Sequence, residues 1–131
     1  MILLDTHIWI WWMTNNARLS SKSKTFIESQ LSTGVGISVI SCWEVAKLIQ
    51  LGRLAFSVST TEWIDNALMY PGVKLLDFTP QIAIEANSLP GTFHRDPADQ
   101  IIVATARVYD IKLLTVDAKI LKYPDVKLVS L

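Results

Sequence analysis

The stretch that decides the fold is residues 96–117, DPADQIIVATARVYDIKLLTVD. Asp96 and Pro97 open a run with helical periodicity, since Asp is a favoured N-cap and Pro is favoured at the first helical position. Residues 112–116 then form a short, mostly apolar run, which predicts a buried strand that ends at Asp117. A helix followed by a buried strand is the repeating unit of α/β folds with parallel strands.

The rest of the chain repeats this alternation of strands and helices. Short apolar runs predict further strands at residues 1–4, 35–39, 73–78 and 126–129. Helical spacing and breakers predict the other helices at residues 6–13, 20–31, 41–50, 60–68, 80–89 and 117–122. The strand runs are apolar without alternation, as expected when helices cover both faces of a parallel sheet. We therefore expect an α/β three-layer sandwich with a mostly parallel central sheet, in a single domain over residues 1–131.

Composition excludes several classes of protein. Half of the 131 residues are hydrophobic, which excludes a disordered chain, and 12 basic residues balance 12 acidic ones without a basic arm or acidic tail. The single cysteine, Cys42, excludes an intramolecular disulfide and a cysteine-based zinc site. The apolar runs are too short to cross a membrane, and Asp5 and His7 interrupt any signal-peptide core. We expect a cytoplasmic protein.

Acidic residues recur where the predicted strands end. Asp5 ends the first strand, Glu44 lies within a helical turn of the second, and Asp117 ends the fourth. Asp96 and Asp99 open the long helix that precedes the fourth strand. Because ligands bind beyond the carboxyl ends of parallel strands, this edge of the sheet is where we expect a functional site.

Each acid, taken alone, also has a purely structural interpretation. Asp5, Asp96 and Asp117 are favoured residues for helix N-caps, and Ser41-x-x-Glu44 fits a capping box. Acids in the first turn of a helix are also stabilised by its dipole. The functional interpretation therefore depends on the acids as a set.

The set of acids requires a positive partner if the strand ends converge. Neighbouring carboxylates raise one another's pKa and destabilise the fold. The nearby bases, His7, His94 and Arg95, are too few to neutralise them. A hard divalent cation such as Mg²⁺ or Mn²⁺ suits such a set, and it can activate water for attack on a phosphodiester. With four acids bound to metal, the basic residues outnumber the remaining acidic ones, which suits a polyanionic substrate.

Four blocks of the sequence together resemble the PIN-domain family, and more narrowly the VapC-type toxins of toxin–antitoxin pairs. The blocks are LLDTH at residues 3–7, SCWEV at 41–45, DPADQIIVATA at 96–106 and LTVD at 114–117. The resemblance covers essentially the whole chain and implies a PIN-like sandwich. A phosphatase of the haloacid-dehalogenase type also places Asp after its first strand, but it requires a second Asp where this chain has His7.

The resemblance implies a Mg²⁺- or Mn²⁺-dependent endoribonuclease that hydrolyses RNA with metal-activated water. It implies a small antitoxin protein as partner and a homodimer with one antitoxin per protomer. The residues that match the family's catalytic and metal-binding acids are Asp5, Glu44, Asp99 and Asp117. The alternative is a catalytically inactive module of the same fold that binds protein or RNA.

The same comparison with the family gives auxiliary positions. Thr115 matches a hydroxyl that often assists near the last acid. Asp96 is expected to be a helix cap first and an auxiliary site residue second. Thr6 is a further auxiliary candidate. Gln100 stands where many relatives carry Arg, which affects a substrate or structural contact but none of the four acids. Arg95 and His94 are candidates for contact with substrate.

The helix at residues 6–13 is apolar on all sides. Trp9, Trp11 and Trp12 occupy three of four successive positions, more than one buried face accommodates. Tryptophan is also enriched in the energetic centres of interfaces. We therefore expect at least one of the three, with Trp11 or Trp12 favoured, to contact the antitoxin or a second protomer.

Overall fold

Four short strands form one parallel sheet, and the computed structural model describes all residues from 1 to 131. The strands are β1 (Ile2–Leu4), β2 (Val35–Ser38), β3 (Val73–Leu76) and β4 (Lys112–Leu114). Their order across the sheet is β3-β2-β1-β4, and every neighbouring pair is parallel. The first strand is therefore central, and its carboxyl end lies between those of β2 and β4.

Seven helices connect or follow the strands. They are α1 (Thr6–Met13), α2 (Ser21–Gln30), α3 (Val39–Gln50), α4 (Thr60–Leu68), α5 (Pro80–Ala86), α6 (Pro97–Tyr109) and α7 (Ala118–Leu121). None of them has the length and apolar character that a bilayer-crossing helix requires.

The two faces of the sheet pack against different helices. In β1, Ile2 and Leu4 join a core cluster with side chains of α1 to α4, whereas Leu3 joins a second cluster with side chains of α6 and α7. This division follows from the strand geometry, because successive side chains point to opposite faces. The predicted three-layer sandwich with a parallel central sheet is thus confirmed.

Several predicted element boundaries were wrong, among them the end of α5 at Ala86 rather than residue 89 and the end of β4 at Leu114 rather than residue 116. The predicted strand at residues 126–129 is only an isolated bridge opposite Leu113, whose N–H donates to the Lys127 carbonyl and whose carbonyl accepts the N–H of Val129. Helix α3 begins at Val39 rather than at residue 41, because the Ser38 hydroxyl accepts the N–H of Ile40 and caps the helix earlier. Strand β3 ends at Leu76, and the two residues that follow it are exposed.

The structure corrects the interface prediction for two of the three tryptophans. Trp9 is fully buried and packs edge-on against Trp63 at 5.2 Å between ring centroids. Trp12 is also buried and packs against Tyr70. Helix α1 is sandwiched so closely by the other helices of its layer that both rings belong to the core. Only Trp11 is partly accessible.

Candidate active site

The carboxyl edge of the sheet carries a small cavity of 230 Å³ that we call the acid pocket. Five carboxylates line it, from Asp5, Glu44, Asp96, Asp99 and Asp117. They come from the ends of β1 and β4 and from the first two turns of α3 and α6, which the parallel sheet directs to the same edge. The acids that follow separate strands in the sequence therefore lie together in the fold.

Three of these acids are also helix caps. Asp5 Oδ1 accepts the N–H of Thr6 at 2.8 Å and opens α1. Oδ1 of Asp96 and Oδ1 of Asp117 each accept two N–H groups from the first turns of α6 and α7. In the latter two residues one oxygen makes both capping bonds and the other has no protein partner. Capping and membership of the pocket are therefore compatible in one side chain.

Glu44 is held by a hydroxyl network rather than by a capping box. The Thr6 hydroxyl donates a short hydrogen bond to Glu44 Oε1, and the Ser41 hydroxyl, 2.8 Å from it, donates to Thr6. The capping-box interpretation of Ser41-x-x-Glu44 was wrong, because both residues lie inside α3. Their spacing puts the two side chains on one helix face, where they meet α1.

Thr115 connects two of the acids. Its hydroxyl donates to Asp5 Oδ2 at 2.6 Å and accepts the backbone N–H of Asp117 at 3.0 Å. Thr115 is itself buried, so these two bonds satisfy its hydroxyl and fix the Asp5 carboxylate. The auxiliary position predicted for Thr115 is thus in direct contact with the pocket.

Asp99 has an imidazole partner. His94 Nε2 lies 2.6 Å from Asp99 Oδ2, and both side chains are only 18% exposed. The Gln100 side-chain amide donates to the His94 carbonyl at 3.0 Å, which ties the preceding loop to α6. Arg95 is exposed and does not line the acid pocket.

Burial and mutual repulsion both work against negative charge in the pocket. Burial raises the pKa of Glu44 to about 7, and the neighbouring carboxylates of Asp5, Asp99 and Asp96 add to the rise. Burial also raises the pKa of Asp5 and of Asp99, although hydrogen bonds from Thr115 and His94 oppose the rise. Desolvation is thus the larger cause and repulsion between the acids the smaller one.

The donor set of the pocket suits a hard cation. The lining acids offer carboxylate oxygens alone, without a thiolate, which matches Mg²⁺ or Mn²⁺ better than a soft metal. As the side chains stand, no three His, Cys, Asp or Glu residues converge closely enough to hold a metal ion. Hydrogen bonds instead direct Asp5 to Thr115, Glu44 to Thr6 and Asp99 to His94.

His7, named from the sequence as a base near the acids, is exposed and lines the pocket, two residues after the Asp5 that ends β1. Ser41 was not singled out as a component of the site by the sequence. Ser41 is fully buried and supports Glu44 through Thr6. The signal for Ser41 was present, because residues three apart on a helix share a face.

Comparison with known proteins identifies the family. Residues 2–126 match the model of the PIN domain. The chain is 31% identical to Ribonuclease VapC22 of Mycobacterium tuberculosis over 119 residues, which cover 91% of this chain and 88% of the relative.

Two solved structures show that the fold is shared with known proteins. VapBC2 of Rickettsia felis, bound to a DNA fragment from its promoter, matches with a TM-score of 0.72 at 18% identity and covers 98% of each chain. FitAcB of Neisseria gonorrhoeae matches with a TM-score of 0.70 at 21% identity and covers 99% of this chain and 97% of the other. At these identities the structural matches show a shared fold. The family model and the 31% identical relative establish that the chain belongs to the PIN-domain family, among its VapC-type members.

Proposed function

We propose that this chain is a metal-dependent endoribonuclease that acts as the toxin of a toxin–antitoxin pair. The observation that carries the proposal is the acid pocket, where carboxylates from four separate elements share 230 Å³ without a lysine or arginine among them. The relative named as a ribonuclease, 31% identical over most of both chains, supports the choice of RNA as substrate.

The chemistry of the pocket follows from its excess of negative charge. Asp5, Glu44, Asp99 and Asp117 would hold Mg²⁺ or Mn²⁺. When bound, the metal supplies positive charge and activates water for attack on a phosphodiester. The protein supplies position, because the Thr115 hydroxyl fixes Asp5 and the Thr6 hydroxyl fixes Glu44. The N-termini of α1, α6 and α7 all lie at the pocket, where their dipoles favour anionic groups.

The proposed partners are a small antitoxin and a second copy of the chain. Similar folds occur in a toxin–antitoxin complex from Klebsiella pneumoniae and in the VapBC and FitAcB structures, which supports the antitoxin. Of the three tryptophans of α1, the half-buried Trp11, at the rim of the acid pocket, is the one still available to a partner. Light scattering tests the homodimer, which should have twice the 14.7 kDa mass of one chain.

The direct test of the nuclease compares two substitutions at opposite ends of α6. Asp99→Asn should abolish metal-dependent cleavage of RNA while preserving the fold, because Asn is tolerated in the first turn of a helix. Asp110→Asn is the matched control, since Asp110 is exposed and lies just beyond the last turn of α6. Undiminished cleavage by the Asp99→Asn protein would contradict the assignment.

The toxin role has a separate test in cells. Expression of the unaltered chain without an antitoxin should arrest growth, and expression of Asp5→Ala should not. Equal growth of the two strains, at equal protein levels, would remove the toxin role and leave the enzymatic proposal to the cleavage assay.

A second candidate function is a catalytically inactive module that binds protein or RNA. The observation that favours it is the lack of three converging ligands among the pocket side chains as they stand. Titration calorimetry with MnCl₂ separates the two candidates, because the proposed enzyme should take up metal in the acid pocket and the inactive module should not. Asp99→Asn provides the comparison protein in the same titration.

A further inference from the structure

A second and larger cavity adjoins the acid pocket. It has a volume of 620 Å³, and six of its eleven lining residues are hydrophobic, Trp11 and Phe56 among them. Arg18, Arg53 and His7 line it as well, and we call it the arginine groove. Trp11 and His7 also line the acid pocket, so the two cavities adjoin at these side chains. A strand of substrate that leaves the acid pocket past Trp11 therefore enters the arginine groove.

The two cavities carry opposite charge. Five carboxylates line the acid pocket, whereas no Asp or Glu lines the arginine groove. Arg18 and Arg53 are both exposed, and neither guanidinium makes an ion pair or a hydrogen bond within the chain. By contrast, Arg107 and Lys127 are paired with carboxylates elsewhere on the surface. The positive charge of the groove is thus available to a ligand.

An aromatic ring stands at the junction of the cavities. Trp11 is half-buried, so part of its indole is open, and its centroid lies 6.1 Å from that of the His7 ring. Nucleic-acid bases stack on such side chains without regard to sequence, while cationic side chains contact the phosphates. One aromatic platform next to two unpaired arginines is a combination that suits single-stranded nucleic acid.

We infer that the arginine groove binds the single-stranded RNA segment next to the bond that is cleaved in the acid pocket. In this arrangement a base stacks on Trp11, and Arg18 and Arg53 contact flanking phosphates. The inference rests on the proposed ribonuclease function and adds to it the path of the substrate. A polyanion fits better than a protein segment, because a protein would need acidic residues at matching positions, whereas RNA carries a charge at every nucleotide.

The test measures RNA affinity in EDTA, where metal-dependent cleavage cannot occur. Fluorescence anisotropy of a labelled single-stranded RNA dodecamer is followed as a function of salt concentration. The Arg18→Ala/Arg53→Ala protein should bind at least about tenfold more weakly at low salt, and its salt slope should be smaller by about 1.4, for two lost phosphate contacts. The control is Lys74→Ala/Lys112→Ala, which removes the same charge from exposed residues of β3 and β4 outside both cavities.

A second pair of variants tests the stacking platform. Trp11→Leu should weaken RNA binding about tenfold, whereas Trp11→Phe, which keeps an aromatic face, should retain most of the affinity. A merely structural role of Trp11 would weaken both variants alike and would also lower their melting temperatures.

The possible failures are distinguishable. If the unaltered chain cleaves RNA with added Mn²⁺ but the arginine variant binds RNA as the lysine control does, the groove inference is overturned and the nuclease stands. No binding of RNA by the unaltered chain in EDTA also overturns the inference. If the unaltered chain never cleaves RNA, the proposed function itself fails.

Discussion

The two ends of helix α6 differ in how their charged side chains are arranged. At its start, Asp96 and Asp99 face the other carboxylates of the acid pocket, and His94 is the one basic side chain bonded to them. At its end two ion pairs join charges of opposite sign. Arg107 binds Glu85 at 2.7 Å, and Lys127 binds Asp110 at 2.6 Å.

The difference shows which end serves stability and which serves a ligand. The paired end neutralises its own charge within the chain. The acid pocket instead concentrates carboxylates whose pKa values rise through burial, and it therefore costs folding free energy at neutral pH. The carboxylates that the fold leaves without a positive partner are therefore the groups that a cation can bind.

The largest expected effect is on catalysis. Asp117→Asn should lower the rate of RNA cleavage at least about 100-fold, because it removes a ligand charge from the acid pocket, while Asn still caps α7. Glu85→Gln, which breaks the Arg107 ion pair at the other end of α6, should leave the rate unchanged. Cleavage of a labelled RNA under saturating Mn²⁺ measures the rates of both variants. Equal losses of rate in the two variants would contradict the proposed difference between the two ends of α6.

Metal should stabilise the protein through the acid pocket alone. A hundredfold excess of Mn²⁺ over its dissociation constant should raise the free energy of unfolding by about 2.7 kcal/mol. Thermal melts with and without Mn²⁺ show this as a higher melting temperature. The Asp99→Asn protein should gain much less, and a full gain in that variant would place the metal elsewhere.

The stability of the metal-free protein should fall as pH rises from about 4.5 to about 7. In this window the folded chain retains the Glu44 proton, because its pKa is raised to about 7, while the unfolded chain has released it. The raised pKa values of Asp5 and Asp99 act in the same direction. Melting temperatures in EDTA measure the effect, which should amount to a few degrees.

Glu44→Gln is the matching variant for this pH dependence. Gln carries no charge at any pH, so the variant should melt at a higher temperature than the unaltered chain at pH 8. The fall between pH 5 and 7 should be smaller in the variant. An unchanged pH profile would show that Glu44 does not hold its proton in the fold.

The smallest expected effect is on stability, at the C-terminal end of α6 where Arg107 pairs with Glu85. A double-mutant cycle on Glu85→Ala and Arg107→Ala should give a coupling energy between about 0.2 and 1 kcal/mol, because this ion pair lies at the surface. Urea unfolding at pH 7 measures the four proteins of the cycle. A coupling of several kcal/mol would mean that this end also stores substantial electrostatic energy.

The architecture was predictable because short apolar runs and helix caps determine it locally. Asp96 and Pro97 begin α6 where capping preferences place them, and Asp5 and Asp117 follow β1 and β4 as expected. The last strand was not predictable, since residues 126–129 have the right composition but pair with only one residue of β4. Pairing depends on the neighbouring strand, which composition does not describe.

The membership of the acid pocket was predictable from strand ends, but its internal contacts were not. Parallel strands bring their carboxyl ends to one edge, so the acids could be grouped without coordinates. The bond from His94 to Asp99 depends on the path of a loop, and the bond from Thr6 to Glu44 depends on how α1 packs against α3. The burial of Trp9 likewise depends on packing against Trp63, which a helical pattern alone cannot locate.

The double duty of Asp5, Asp96 and Asp117 as helix caps and pocket acids has a genetic consequence. Asparagine caps a helix as well as aspartate does, and a single nucleotide change converts an aspartate codon into an asparagine codon. One such mutation in the gene of the proposed toxin would abolish the nuclease activity while the protein still folds. The inactive protein would still bind the proposed antitoxin. Lineages under selection against the toxin should therefore accumulate full-length inactive copies of its gene more readily than truncated ones.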